Sequence, residues 1–283
     1  MTAPGPDPST RPVGVFDSGV GGLTVLHELL VNLPQEDFLY VGDTARFPYG
    51  ERSAEELRRF SLEIADVLVE RGAKLVVVAC NSATSAALDT LERHLAATAP
   101  EVAVIGVVEP ACRLAVQATR NRRVGLLATT ATVRSEAYAR AVAALESDVE
   151  LVSVPCPELA PIIQEGFPFD QRVVDTVRAY CRPLRLAGVD TVILGSTHYP
   201  LVAPMLQRML GGDVRMVASG PAVARRVEAT LTDRALAHDG VAEGEYRFLC
   251  TGDVESFRSL GTRFLQMPLL HVSGLSLPDE AAA

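Results

Sequence analysis

The chain is 283 residues long, 48% hydrophobic, and carries 26 Lys and Arg against 35 Asp and Glu for a net charge of −9. Its length suits one large domain or two small ones with a sizeable core, and its acidic balance argues against nucleic acid as a partner. No apolar run approaches the roughly 20 residues that cross a bilayer, and five cysteines without a C-x-x-C pair read as reduced cytoplasmic thiols, with neither a disulfide framework nor a metal site.

Residues 1–11 are proline-rich and lack an apolar signal core, so a disordered leader is expected there. A first strand is expected over 13–16, followed by Asp17-Ser18-Gly19-Val20-Gly21-Gly22 and a helix marked by Leu23, Leu26 and Leu30. A second strand over 38–41 leads into Gly42-Asp43-Thr44 and a loop ending Phe47-Pro48-Tyr49-Gly50. Ser53 with Glu56 three residues on has the pattern of a capping box, and Leu57, Phe60, Ile64, Val67 and Leu68 mark one face of the helix it opens. Arg71-Gly72 closes that helix.

The unbroken run LVVVA over 75–79 reads as a parallel strand buried on both faces. Cys80 follows it, and a helix is expected to begin at Ser82, Thr84 or Ser85. The thiol thus stands where a strand ends and a helix starts, at the sheet edge where open α/β folds bind ligands. The positive end of the helix is expected to lower its pKa. Further strands are expected over 103–108, 124–128, 151–154, 189–194, 214–217 and 246–250, with helices after Glu109-Pro110, over 170–187, after Pro200 and over 221–231. The stretch VDTVILGSTH over 189–198 repeats the layout of the Cys80 unit, with Ser196 in the place of the thiol.

Strands alternating with helices indicate an α/β protein with mainly parallel sheets flanked by helices. Two similar domains are expected, over 12–107 and 108–215, with 216–283 returning to the first and a site in the cleft between them. A thiol at one strand end facing an acid/base group across a cleft suits proton exchange at a carbon held between them. The hydroxyls and amides nearby (Ser18, Asn81, Ser82, Thr197 and the backbone N–H groups of helix starts) suit a small carboxylate-bearing substrate.

The stretches VGVFDSGVGGLTVL, YVGDTARFPYG, VVACNSATSAAL, GVVEPA and LGSTHYPL closely resemble those of glutamate racemase, in order over 13–217. That family implies a cofactor-independent enzyme of peptidoglycan synthesis, usually a homodimer, with two opposed cysteines around glutamate. By position, Cys80 matches the first catalytic cysteine and Ser196 the place of the second. Asp17 matches the carboxylate that assists the first thiol, and His198 the imidazole on the second side. The resemblance makes Asp17, Ser18, Tyr49, Gly50, Asn81, Ser82, Thr197 and His198 substrate contacts.

Two positions depart from the family pattern on the same side of the site. Serine stands at 196 where the family has cysteine, and a family glutamate aligns with Gln164, with Glu165 one step away. Several residues also have plainer readings. Asp17 either serves the site or caps the helix after Gly22. Tyr49 either meets substrate or packs its loop, and Glu109, Thr129 and Thr132 are either site groups or helix caps. Rival functions are a one-thiol decarboxylase or isomerase on the same fold and a non-catalytic binder of acidic amino acids. A dinucleotide fold lacks its third glycine, since Thr24 stands there. A pyridoxal-phosphate enzyme needs a Schiff-base lysine, whereas lysine is nearly absent and Lys74 begins a strand.

Overall fold

The computed structural model describes residues 7–166 and 170–277. Strands β1 (Val13–Asp17), β2 (Phe38–Gly42), β3 (Leu75–Val78) and β4 (Ala103–Gly106) alternate with helices α1 (Leu23–Asn32), α2 (Ala54–Glu70) and α3 (Asn81–Thr98). After α4 (Val108–Ala118), the strands β5 (Arg123–Ala128), β6 (Glu150–Pro155), β7 (Thr191–Gly195) and β8 (Arg215–Val217) follow. They are interleaved with α5 (Thr130–Arg134), α6 (Ala137–Leu145), α7 (Leu159–Gln164), α8 (Gln171–Ala187) and α9 (Ala203–Leu210). The chain closes with α10 (Gly220–Asp233), β9 (Tyr246–Cys250), α11 (Val254–Leu265) and β10 (Val272–Gly274).

Two sheets result, a six-stranded one in the order β10-β9-β2-β1-β3-β4 and a four-stranded one in the order β6-β5-β7-β8. Every pairing is parallel. The central strands β1, β2, β3 and β7 are buried along their whole length, which is why their sequences are continuous apolar runs without alternation. All these strands therefore present their C-terminal ends on one edge of each sheet, where helix starts and polar turns gather. One hydrophobic cluster runs from Val15, Leu26 and Val77 of the first half to Leu127, Val192 and Leu194 of the second. It fixes the two strand-end edges against each other.

Local signals act as their chemistry dictates. Ser53 Oγ accepts from the Glu56 amide and the Glu56 carboxylate accepts from the Ser53 amide, a complete capping box. Gly72 adopts φ +87° just past α2, a conformation that a Cβ disfavours.

Several expectations are corrected. Helix α3 starts at Asn81, one residue before the first proposed start, because Cys80 itself caps it. Of the expected leader, residues 1–6 lie outside the described residues. Residues 8–10 form a 3-10 turn capped by Asp7, and the buried Lys74 ammonium donates to the Ser9 carbonyl. The expected border at 215 falls inside β8, which is hydrogen-bonded to β7. Helices α6, α7 and α11 and strand β10 were not expected. α7 is six residues with an internal proline, and β10 is a largely exposed edge of three residues with no apolar run.

Lys74 also pairs with Glu36 at 2.6 Å, both side chains almost wholly buried. Removing one partner of a buried ion pair strands the other charge. Lys74→Ala should therefore cost about 3–5 kcal/mol of stability, read from urea unfolding. An unchanged midpoint would mean that Glu36 has another way to dispose of its charge.

Candidate active site

Strand β3 delivers Cys80 to the sheet edge, and the turn into α3 holds it there. Cys80 has extended backbone (φ −71°, ψ 121°), its Sγ accepts from the Ala83 amide at 3.5 Å, and its carbonyl accepts from the Thr84 amide at 2.8 Å. A thiol thus fills the capping role usually taken by serine or aspartate. In the other half, β7 delivers Ser196, whose Oγ accepts from the His198 amide at 3.4 Å. Both residues line a single cavity, and they are only 4% and 6% exposed.

Asp17 ends β1 and is fully buried. Its Oδ2 accepts from the Gly22 amide at 2.8 Å, so it does cap the turn into α1, while its Oδ1 has no hydrogen-bond partner among the described residues. Burial pushes its pKa up, against the opposing pull of the Gly22 amide and the Cys80 thiol. The Cys80 thiol is pushed up to about 12, first by burial and second by the neighbouring Asp17 charge. The amides of Ala83 and Ser18 pull the other way but do not prevail. The expectation of a lowered pKa is thus overturned: at this buried position desolvation outweighs the helix end.

His198 is buried between Phe47 (ring centroids 5.7 Å apart) and the edge of Phe264 (5.1 Å), and burial drives its pKa down to about 3. Its Nε2 lies 3.0 Å from Gln164 Oε1. The imidazole is therefore neutral near pH 7 and donates Nε2–H to the amide oxygen, which leaves Nδ1 as an acceptor. Gln164 holds this contact, while Glu165 is exposed beyond the end of α7.

The remaining expected residues divide into cavity walls and struts. Ser18, Tyr49, Gly50, Asn81, Ser82, Thr197 and His198 all line the cavity. The Tyr49 hydroxyl itself donates to Asp43, which also receives Arg46 Nε at 2.7 Å and Thr251 Oγ1 at 2.8 Å, so the hydroxyl is a strut. Ser82 Oγ bonds Thr129 Oγ1 at 2.9 Å across the two halves, and the Thr197 carbonyl accepts from Thr24 Oγ1 at 2.9 Å. Thr129 both caps α5 and lines the cavity. Glu109 is exposed, pairs with Arg113 and lies outside the cavity wall. Cys112, Cys156, Cys181 and Cys250 are buried core residues. Among the described residues no cluster of three or more His, Cys, Asp and Glu is arranged to hold a metal.

The glycine turn after β1 serves close packing between the halves. A Cβ on Gly21 would come within 2.3 Å of Thr197 Oγ1 and 2.5 Å of the His198 ring. Gly21→Ala should therefore destabilise the fold by about 1–3 kcal/mol, measured by the shift in urea midpoint. A silent substitution would show that Thr197 and His198 are free to move aside.

Sequence reasoning missed Thr130, Pro157, Ala160 and Pro161 in the cavity wall and Phe264 against His198. Phe264 carried a signal that was readable: Asp253 with Ser256 three residues on, followed by Phe257, Leu260 and Phe264 at helical spacing.

The chain resembles known proteins over most of its length. Residues 24–227 match the family model described as Asp/Glu/Hydantoin racemase. A glutamate racemase from Geobacter metallireducens is 43% identical over 270 residues, spanning 95% of this chain and 98% of that protein. Among solved structures, a glutamate racemase isoform from Bacillus anthracis superposes with a TM-score of 0.90 at 35% identity, covering 95% of this chain and 99% of that one. A glutamate racemase from Francisella tularensis, in complex with D-glutamate, gives 0.87 at 32% identity, covering 95% and 98%. By the extent of these matches, the chain belongs to the Asp/Glu/hydantoin racemase family.

Proposed function

We propose that the chain interconverts L- and D-glutamate without a cofactor, as a cytoplasmic, homodimeric enzyme supplying D-glutamate for peptidoglycan. The observation that carries this reading is the cavity walled by Cys80 from one half and Ser196 from the other. Its support also includes the relatives named glutamate racemase and the D-glutamate bound in one of them. Among the described residues no helix is long and apolar enough to cross a membrane.

The roles follow from chemistry. Cys80 rests as a thiol and serves first as an acid, giving its proton to the α-carbon on its own face. To act as a base it must lose that proton. Asp17, with Oδ1 unpartnered and its own pKa raised, is the group beside it suited to take the proton. Asn81, Ser82 and Thr197 supply donors for the substrate carboxylates. On the opposite face Ser196 presents a hydroxyl, a far weaker acid than a thiol, and His198 is neutral and held by an uncharged Gln164. Proton transfer on that face is the slow half of the cycle, so inversion is slow in this chain.

Chiral chromatography after incubation with L- or D-glutamate tests the reading. Slow appearance of the opposite enantiomer from either one is expected. Carbon dioxide release would point instead to a one-thiol decarboxylase, and glutamate binding without any proton exchange to a non-catalytic binder.

A further inference from the structure

The mechanism above gives no role to Tyr138. Tyr138 is the second residue of α6, in the half built on the four-stranded sheet, and only 1% exposed. Its hydroxyl reaches across to the other half and lies 2.6 Å from Asn81 Oδ1, at the first residue of α3 and next to Cys80. Asn81 lines the cavity, is 3% exposed, and its Nδ2 is buried with no hydrogen-bond partner among the described residues. A buried amide NH2 without a partner is costly and rare, and here it belongs to a cavity wall.

The orientation of the amide follows from proton bookkeeping. Burial keeps the Tyr138 hydroxyl protonated, and among the described residues that hydroxyl bonds no other side chain or carbonyl. Its proton therefore goes to the Asn81 oxygen. With the amide turned the other way, Nδ2 would meet the hydroxyl, the phenolic proton would lose its acceptor, and Oδ1 would take the unpartnered place. Such a site would set a carbonyl oxygen against an anionic substrate.

We infer that Tyr138 is a positioning residue: its hydrogen bond to Asn81 Oδ1 fixes the amide so that Nδ2 is the donor offered to a carboxylate oxygen of the substrate. This rests on the reading that glutamate occupies the cavity. Because Tyr138 and Asn81 sit on opposite halves, the same bond makes the orientation of a substrate donor depend on the halves being closed on each other.

Tyr138→Phe keeps the buried ring and removes the hydroxyl alone. Isothermal titration with D- and L-glutamate should show affinity lower by about tenfold, the loss of one hydrogen bond to a charged group. In an Asn81→Ala background, Tyr138→Phe should cause no further loss, whereas a merely structural role would weaken both backgrounds equally. Asn81→Asp provides a second variant that does not depend on Tyr138→Phe folding. It keeps an acceptor for Tyr138 but has no NH2, and it should weaken glutamate at least as much as Asn81→Ala. Unchanged affinity in Tyr138→Phe, equal losses in both backgrounds, or full binding by Asn81→Asp would each overturn the inference. A parent protein that binds neither enantiomer would instead remove the glutamate reading on which the inference stands.

Discussion

Ser196→Cys should accelerate interconversion of the glutamate enantiomers by about 10²–10⁴-fold, the range that a well-placed acid/base group contributes. Ser196 follows the last residue of β7 with its side chain in the cavity wall, and the change from hydroxyl to thiol adds little bulk. A thiol is a far stronger acid than a serine hydroxyl, and burial in the same wall raises both without reversing that order. The neutral His198–Gln164 pair offers no charge to compensate for that. Gln164→Glu added to Ser196→Cys should raise the rate again, since a carboxylate 3.0 Å from Nε2 would favour the imidazolium. Chiral chromatography of each variant gives the rates directly. Equal rates for the parent and Ser196→Cys would show that position 196 plays no part in proton transfer.

Cys80→Ala should remove proton exchange at the α-carbon in the parent, because among the described residues no other thiol lines the cavity, whereas in Ser196→Cys it should abolish inversion and leave exchange at the opposite face only. The pH profile of the parent supplies the second half of this prediction. Burial and the neighbouring Asp17 hold the thiol at about 12, so the exchange rate should show no levelling near the 8.5 of a free thiol. The stability linkage has the opposite sense. A thiol whose pKa is raised by folding adds stability in full below its unfolded value. That contribution is lost as pH climbs from about 8.5 towards 12, because the unfolded chain then gives up its proton first. Rates must therefore be taken from short incubations at the alkaline end. A profile that levels near 8.5 would mean that substrate binding resets the thiol.

Much of this was written in the local sequence, and particular residues show why. Cys80 and Ser196 each follow a buried run of β-branched residues, and a parallel sheet leaves nowhere for the next polar residue but the strand-end edge. That the two edges face each other depends on contacts remote in sequence, such as Thr24 with Thr197 and Ser82 with Thr129. No period or motif encodes such contacts. Tyr138 is the clearest case, since nothing in its own helix distinguishes it from a core tyrosine. The lowered thiol pKa failed for another reason. Position at a helix start is local and readable, but desolvation is a property of the closed cavity, and it outweighed the helix end.

Hydrogen–deuterium exchange at the α-carbon, followed enantiomer by enantiomer in heavy water, addresses the proposed opposition of Cys80 and Ser196 most directly. The parent protein should place deuterium into one enantiomer much faster than it forms the other, and Ser196→Cys should make inversion keep pace with exchange. Equal, fast exchange into both enantiomers by the parent, surviving in Cys80→Ala, would contradict a site in which one thiol serves one face of the carbon.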